Sequence, residues 1–132
     1  MPFGTAVVIT QVGRAITAKN VAGTVLAVPK YVAYGTGATA GTHTATNTDT
    51  ALLNEVESRG TGVATTVTTS TSNDTLQVVG TPASPASTPR NIDEYALFDA
   101  PTGGNMFLSG TQPVQALQVG DSLTFTLKCT WS

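Results

Sequence analysis

Charge is scarce in this sequence. Only 11% of its 132 residues are Asp, Glu, Lys or Arg, against roughly a quarter in an ordinary soluble domain. Eight acids and six bases leave a net charge of −2. There is no basic stripe of the kind that neutralises a phosphate backbone, so no nucleic-acid partner is expected. Cysteine occurs once, at Cys129, which excludes an internal disulfide framework. No apolar run approaches the ~20 residues of a membrane span. The opening "MPFGTAVVITQVGRA" has neither the basic start nor the apolar stretch of a signal peptide. A soluble product, assembled in a cytoplasm and without a membrane partner, is the expectation. Histidine also occurs once, at His43, and aromatic residues reach only 6%.

Threonine is what the chain has instead, at about one residue in five. It is β-branched and suits an extended, half-buried backbone. An uncharged, hydroxyl-rich surface fits a protein that packs against neighbours, since a free monomer normally relies on surface charge for solubility.

The pattern predicts a single domain over 1–132 that is mainly β: an antiparallel β-sandwich or jelly-roll-like fold with one or two short helical segments in the N-terminal half. Thr10 is placed to cap a short helix through Lys19, with Val12, Ala15 and Ile16 at helical spacing and Gly13 counting against it. "KYVAYG", 30–35, reads as a strand. The small, polar stretch 36–50 reads as a long loop. Asp49 or Thr50 is expected to cap a brief helical turn in "ALLNEVESR", with Leu52, Leu53 and Val56 on one face. A hairpin over about 62–82 turns at "SND", 72–74. "PASPASTP", 82–89, holds three prolines and is a loop. "NIDEYALFDA" and "MFLSGT" are strands joined by "PTGGN", and "ALQVGD" turns at Gly120. In the closing "DSLTFTLKCTWS", Leu123, Phe125, Leu127, Cys129 and Trp131 alternate with polar residues. A buried last strand is expected, with Cys129 a small core hydrophobe.

Sites for chemistry are few. "GTGATA", 35–40, matches G-x-G-x-x-A, but "GTHTATNTDT" follows where a pyrophosphate-holding helix must stand. Any nucleophile–His–Asp triad must be built on His43, and no G-x-S-x-G elbow accompanies it; a solvent-exposed loop histidine is the expectation. Zinc normally takes several His or Cys ligands, and only His43 and Cys129 exist. Glu55 with Glu57, Asp93 with Glu94, and Asp99 are the acidic groups that could serve glycoside hydrolysis. Aromatic platforms are short, and Asp93 and Glu94 as strand neighbours point to opposite faces. Asp99 reads as a turn residue. Asn47, Asp49 and Thr50 match no Ca²⁺ loop. Arg59 is placed to pair with Glu55 on a helix surface. "NDT", 73–75, is formally a glycosylation sequon. No catalytic, cofactor-binding or metal-binding residue is assigned, and neither a cofactor nor a small-molecule substrate is expected.

Taken in order, "TQVGRAITA", "YVAYGTG", "TDTALLNEVESR", "NDTLQVVGT", "DEYALFDAPTGGNMFLSGT" and "VGDSLTFTLKCTWS" span most of the chain. In that order they resemble a family of small virion structural proteins of tailed bacteriophages. The chain departs from the family pattern at Ala96, where a Gly usually precedes "LF", and at "TPASPASTPRN", where the family has a compact loop. The resemblance implies a non-enzymatic virion role. The expected form is a capsid decoration (cement) protein on the capsid exterior. It would bridge neighbouring capsid subunits, with the major capsid protein and copies of itself as partners. The alternatives are a tail, collar or fibre-base component, and a small host-surface or carbohydrate-binding module. The chain ends and the loops at 36–50 and 81–91 are the expected contacts.

Overall fold

The computed structural model describes residues 7–37 and 43–131. Residues 38–40 of "GTGATA", two further residues of the small-residue loop, and both extreme chain ends lie outside that range. The described chain is mainly β, with one helix. β1 (Val7–Ile9) leads into α1 (Gln11–Val21); β2 (Tyr31–Gly35), β3 (Glu55–Thr61), β4 (Val63–Val67), β5 (Thr75–Gly80), β6 (Arg90–Phe98), β7 (Met106–Leu117) and β8 (Phe125–Thr130) follow. They form two antiparallel sheets, ordered β1-β7-β6-β2-β3 and β4-β5-β8. No helix among the described residues is long and apolar enough to cross a membrane.

The core lies between the sheets. Val32 and Tyr34 of β2, Tyr95 and Leu97 of β6, Val78 of β5, and Phe125, Leu127 and Cys129 of β8 share one buried cluster. Each buried aliphatic or aromatic side chain there contributes about 1.5–3 kcal/mol before entropy costs. The alternate residues of the five-stranded sheet, Ala33, Ala96, Phe98 and Met106, form a second cluster on its other face, covered by Leu52. β8 buries Phe125, Leu127 and Cys129 as its alternation requires. The burial stops there: Leu123 is half-buried and Trp131, beyond the strand end, is 43% exposed.

The helix forms where Thr10 caps it. Thr10 is extended, and its hydroxyl accepts from the Gly13 amide at 2.9 Å, satisfying one of the unpaired first-turn donors. The same residue docks the helix on β7, donating its hydroxyl to the Met106 carbonyl at 2.5 Å and its amide to the Phe107 carbonyl at 3.1 Å. Phe107 is one extra residue in β7 between the pairs Leu97–Leu108 and Phe98–Met106. Gly13, which counted against a helix in the sequence, is there for contact: a Cβ would stand 2.3 Å from the Phe107 carbonyl oxygen.

The helical turn expected in "ALLNEVESR" is not formed. Residues 55–61 are β3, paired with β2. Two extra β3 residues lie between the pairs Val32–Gly60 and Tyr34–Val56, with Glu57 at φ 58°. The helical spacing of Leu52, Leu53 and Val56 is not one face: Leu52 covers the outer face of the five-stranded sheet, Leu53 is exposed and Val56 joins the inter-sheet core. β7 also runs past the expected "MFLSGT" to Leu117. It accommodates Pro113 in a second register shift opposite β6, between the pairs Glu94–Thr111 and Ile92–Gln115.

Gly13→Ala tests the docking. In an exposed helix interior this change stabilises by about 1 kcal/mol. Here the expected outcome is destabilisation of about 1–3 kcal/mol from overpacking, read as a melting temperature lowered by several degrees in circular dichroism. A raised melting temperature would show that α1 does not press on β7.

Candidate functional site

Glu94 lies on the outer face of the five-stranded sheet, in register with Ala96 and Phe98, and its side chain has no exposed surface. Buried carboxylates require donors, and loops supply them. The amides of Gly37 (3.2 Å) and Asn54 (2.8 Å) donate to Oε1, and that of Leu53 (3.2 Å) donates to Oε2. His43 Nδ1 approaches Oε2 to 2.8 Å. That approach lacks hydrogen-bond geometry, and Nδ1 has no hydrogen-bond partner.

The other imidazole nitrogen, Nε2, is 3.1 Å from Asp49 Oδ2, which also accepts from the Ser109 hydroxyl at 2.7 Å and the Thr46 amide at 3.0 Å. The Thr46 hydroxyl donates to Oδ1 at 2.7 Å. Burial pulls the Asp49 carboxyl upward, but the hydrogen bonds from Thr46, Ser109 and His43 outweigh it and hold the group below its ordinary value.

His43 is therefore not the exposed loop histidine expected from sequence. Its side chain is 12% exposed and sits between two carboxylates, because the loop that carries it folds back on the sheet. The Gln11 amide holds the same loop through the Asn47 carbonyl at 2.7 Å. Nothing in the letters signalled that His43, Asp49, Glu94 and Ser109 would meet.

The order of these groups decides their chemistry. A nucleophilic triad needs imidazole between hydroxyl and carboxylate. Here the Asp49 carboxylate stands between Ser109 and His43, so the imidazole cannot take the serine proton. Asp49 and Glu94 flank the ring from opposite nitrogens and do not converge on one point. No group of His, Cys, Asp or Glu among the described residues has the arrangement to hold a metal ion. The cluster ties loops to a sheet.

The remaining candidates have structural partners. Asp93 is fully buried like Glu94. The simple opposite-faces argument for this pair needs an unbroken pleat, yet Ile92, Tyr95 and Leu97 all join the inter-sheet core, so the alternation skips at the register shift. Glu57 pairs with Arg90 at 3.1 Å. Glu55 pairs with Arg59 through two hydrogen bonds. That pair spans the β3 bulge and does not lie on a helix. The Arg59 guanidinium lies 3.5 Å from the centre of the Phe98 ring and donates to the Ala100 and Gly103 carbonyls, clamping the turn that Asp99 closes by accepting from Asn105. Burial pushes the Cys129 thiol up to about 11, so it remains an inert core thiol. Asn73 occupies a left-handed turn position at φ 59°. Beside it Asp74 accepts the amides of Thr69, Ser70 and Thr71, which hold its carboxyl far below the usual range.

What the fold leaves open is sheet edge and apolar surface. β4 is an edge strand of the smaller sheet. It reads VATTV, without charge, proline or register shift; the other edges carry Lys128 on β8, carry Glu55, Glu57 and Arg59 on β3, or have three described residues, as in β1. Beside β4 a groove of about 320 Å³ opens between α1 and the β4–β5 hairpin, lined by Ile16, Val21, Val28, Leu76, Phe107 and Trp131 among others and by no charged residue. Compared with known proteins, the chain matches no family model and no curated protein.

Two outcomes follow. Glu94→Ala strands one buried and two part-buried amides and is expected to cost about 3 kcal/mol; Ser109→Ala, which leaves Asp49 its other donors, is expected to cost about 1 kcal/mol. Urea unfolding measures both, and equal costs would refute the central place given to Glu94. Asp49 and Asp74 have folded-state pKa values below their unfolded ones, so the stability they contribute is present above the ordinary carboxylate range of about 4. It is lost as pH falls through the folded values. Melting temperature followed from pH 7 downward is expected to fall below about pH 4, less steeply in Asp74→Asn; an unchanged acid slope would refute the assignment.

Proposed function

We propose that this chain is a non-enzymatic structural protein of a tailed-bacteriophage virion, a decoration protein on the capsid exterior that bridges and stabilises neighbouring capsid subunits. The observation that carries the reading is a contrast within one small fold. Its polar cluster is taken up by loop anchoring, with the carboxylate placed between hydroxyl and imidazole. Its uncharged sheet edge and its large exposed side chains Val21, Val25, Val63 and Trp131 face outward. Unpaired edge amides and carbonyls are templates for pairing with another chain. The ordered resemblance of the segments to phage virion proteins supports the same reading.

The mechanism is linkage. A protein that binds only the assembled lattice stabilises it by mass action, and contacts to adjacent subunits add avidity without requiring any one contact to be tight. The partners are the major capsid protein and further copies of this chain. Scarce charge suits the role, because closely spaced copies then repel one another weakly.

Quantitative mass spectrometry of purified virions tests the reading. The expected outcome is a copy number commensurate with that of the major capsid protein, together with a lower melting temperature for shells stripped of this chain. A handful of copies per particle would exclude decoration and favour a tail, collar or fibre-base position.

A further inference from the structure

We infer that β4 is the two-fold contact of a homodimer, in which β4 strands of two copies pair antiparallel about Thr65 and join two three-stranded sheets into one of six. The strand is self-complementary. Centred on Thr65, antiparallel pairing sets Val63 opposite Val67 of the second copy and Ala64 opposite Thr66, so no charge meets a charge and apolar ends meet apolar ends. Among the described residues the other three sheet edges lack this property, because two are charged and β1 has three described residues. A two-fold contact also closes on itself and leaves no further β4 edge to propagate.

Area decides how much more must be covered. Five residues at about 3.3 Å each, with a sheet spacing of about 10 Å, give less than about 200 Å² of strand edge. A stable pair needs roughly 500 Å² or more per partner. The ladder alone falls short, and the surface that makes up the difference lies beside it. Thr66 of β4 lines the uncharged groove together with Val21, Val28 and Trp131, which are 84%, 52% and 43% exposed, and Val63 is 67% exposed. A second copy seated along β4 covers that open side. Groove and edge are thus one interface, and its occupant is a second copy of this chain.

A charge exchange at the centre of the two-fold axis tests this in solution. Thr65 is exposed, so Thr65→Lys and Thr65→Glu should each melt like the parent chain. In sedimentation equilibrium the parent is expected to reach the mass of two chains as concentration rises. Each variant places like charges face to face and is expected to halve that mass, and an equimolar mixture of the two should restore it. A parent that stays monomeric, variants that stay dimeric, or a mixture that stays monomeric while each variant remains folded would each overturn the inference. The result is independent of the capsid reading, since copy number in virions is measured on particles and dimerisation on the purified chain.

Discussion

A carboxylate with no solvent contact sets the terms for one whole face of this protein. Glu94 is buried on the outside of the five-stranded sheet, where water cannot satisfy it. An unpaired charge in that position is costly enough that the surrounding chain must supply donors. It does so from two separate segments, Gly37 and Leu53–Asn54, with His43 closing the remaining side. Gly37 and the described stretch that carries His43, Leu53 and Asn54 are thereby held against β6. Asp49 extends the arrangement to Ser109 on β7. Leu52, carried by the same stretch, covers the apolar patch around Ala96 and Phe98. Glu94, Asp49 and Leu52, with the Gln11–Asn47 hydrogen bond, together hold an otherwise polar segment in place.

The same contacts keep the cluster from forming a nucleophilic triad. Histidine, serine and two carboxylates within hydrogen-bond reach resemble a catalytic set by composition. Catalysis depends on sequence of contact, and here each carboxylate is occupied by amides and hydroxyls while the imidazole faces acceptors on both sides. Such a network rigidifies a loop when its members are satisfied.

Threonine explains much of the remainder. Hydroxyl pairs link Thr75 to Thr130 across β5 and β8 at 2.8 Å, Thr69 to Thr75 at 2.7 Å, and Thr81 to Thr124 at 2.6 Å. The first is a cross-strand contact and the other two involve residues just beyond strand ends, so that the sheet is stabilised modestly without charge. The surface that results is polar yet nearly neutral. The edge that most proteins would blunt with lysine or proline is left plain on β4, and the apolar groove beside it is uncharged as well. An uncharged edge beside an uncharged groove is a surface built for a neighbour.

What the letters determined by themselves was local. Thr10 as a helix cap, the turn at 72–74, the proline-rich loop and the alternation of Phe125, Leu127 and Cys129 depend on contacts within a few residues, and side-chain period alone reports them. The mainly β class followed from composition and spacing. Tertiary structure decided everything that turns on which strand lies beside which. Leu52, Leu53 and Val56 keep a helical spacing in one dimension, yet Leu52 and Val56 go to opposite faces of the sheet once β2 is alongside. Gly13 reads as a weak helix residue until Phe107 is found against it. His43 and Glu94 are 51 positions apart in the chain and 2.8 Å apart in space, and the order of Ser109, Asp49 and His43 emerges only when three segments meet. Periodicity carries burial along one element. It holds no information about register between elements, and register is what assembled this site.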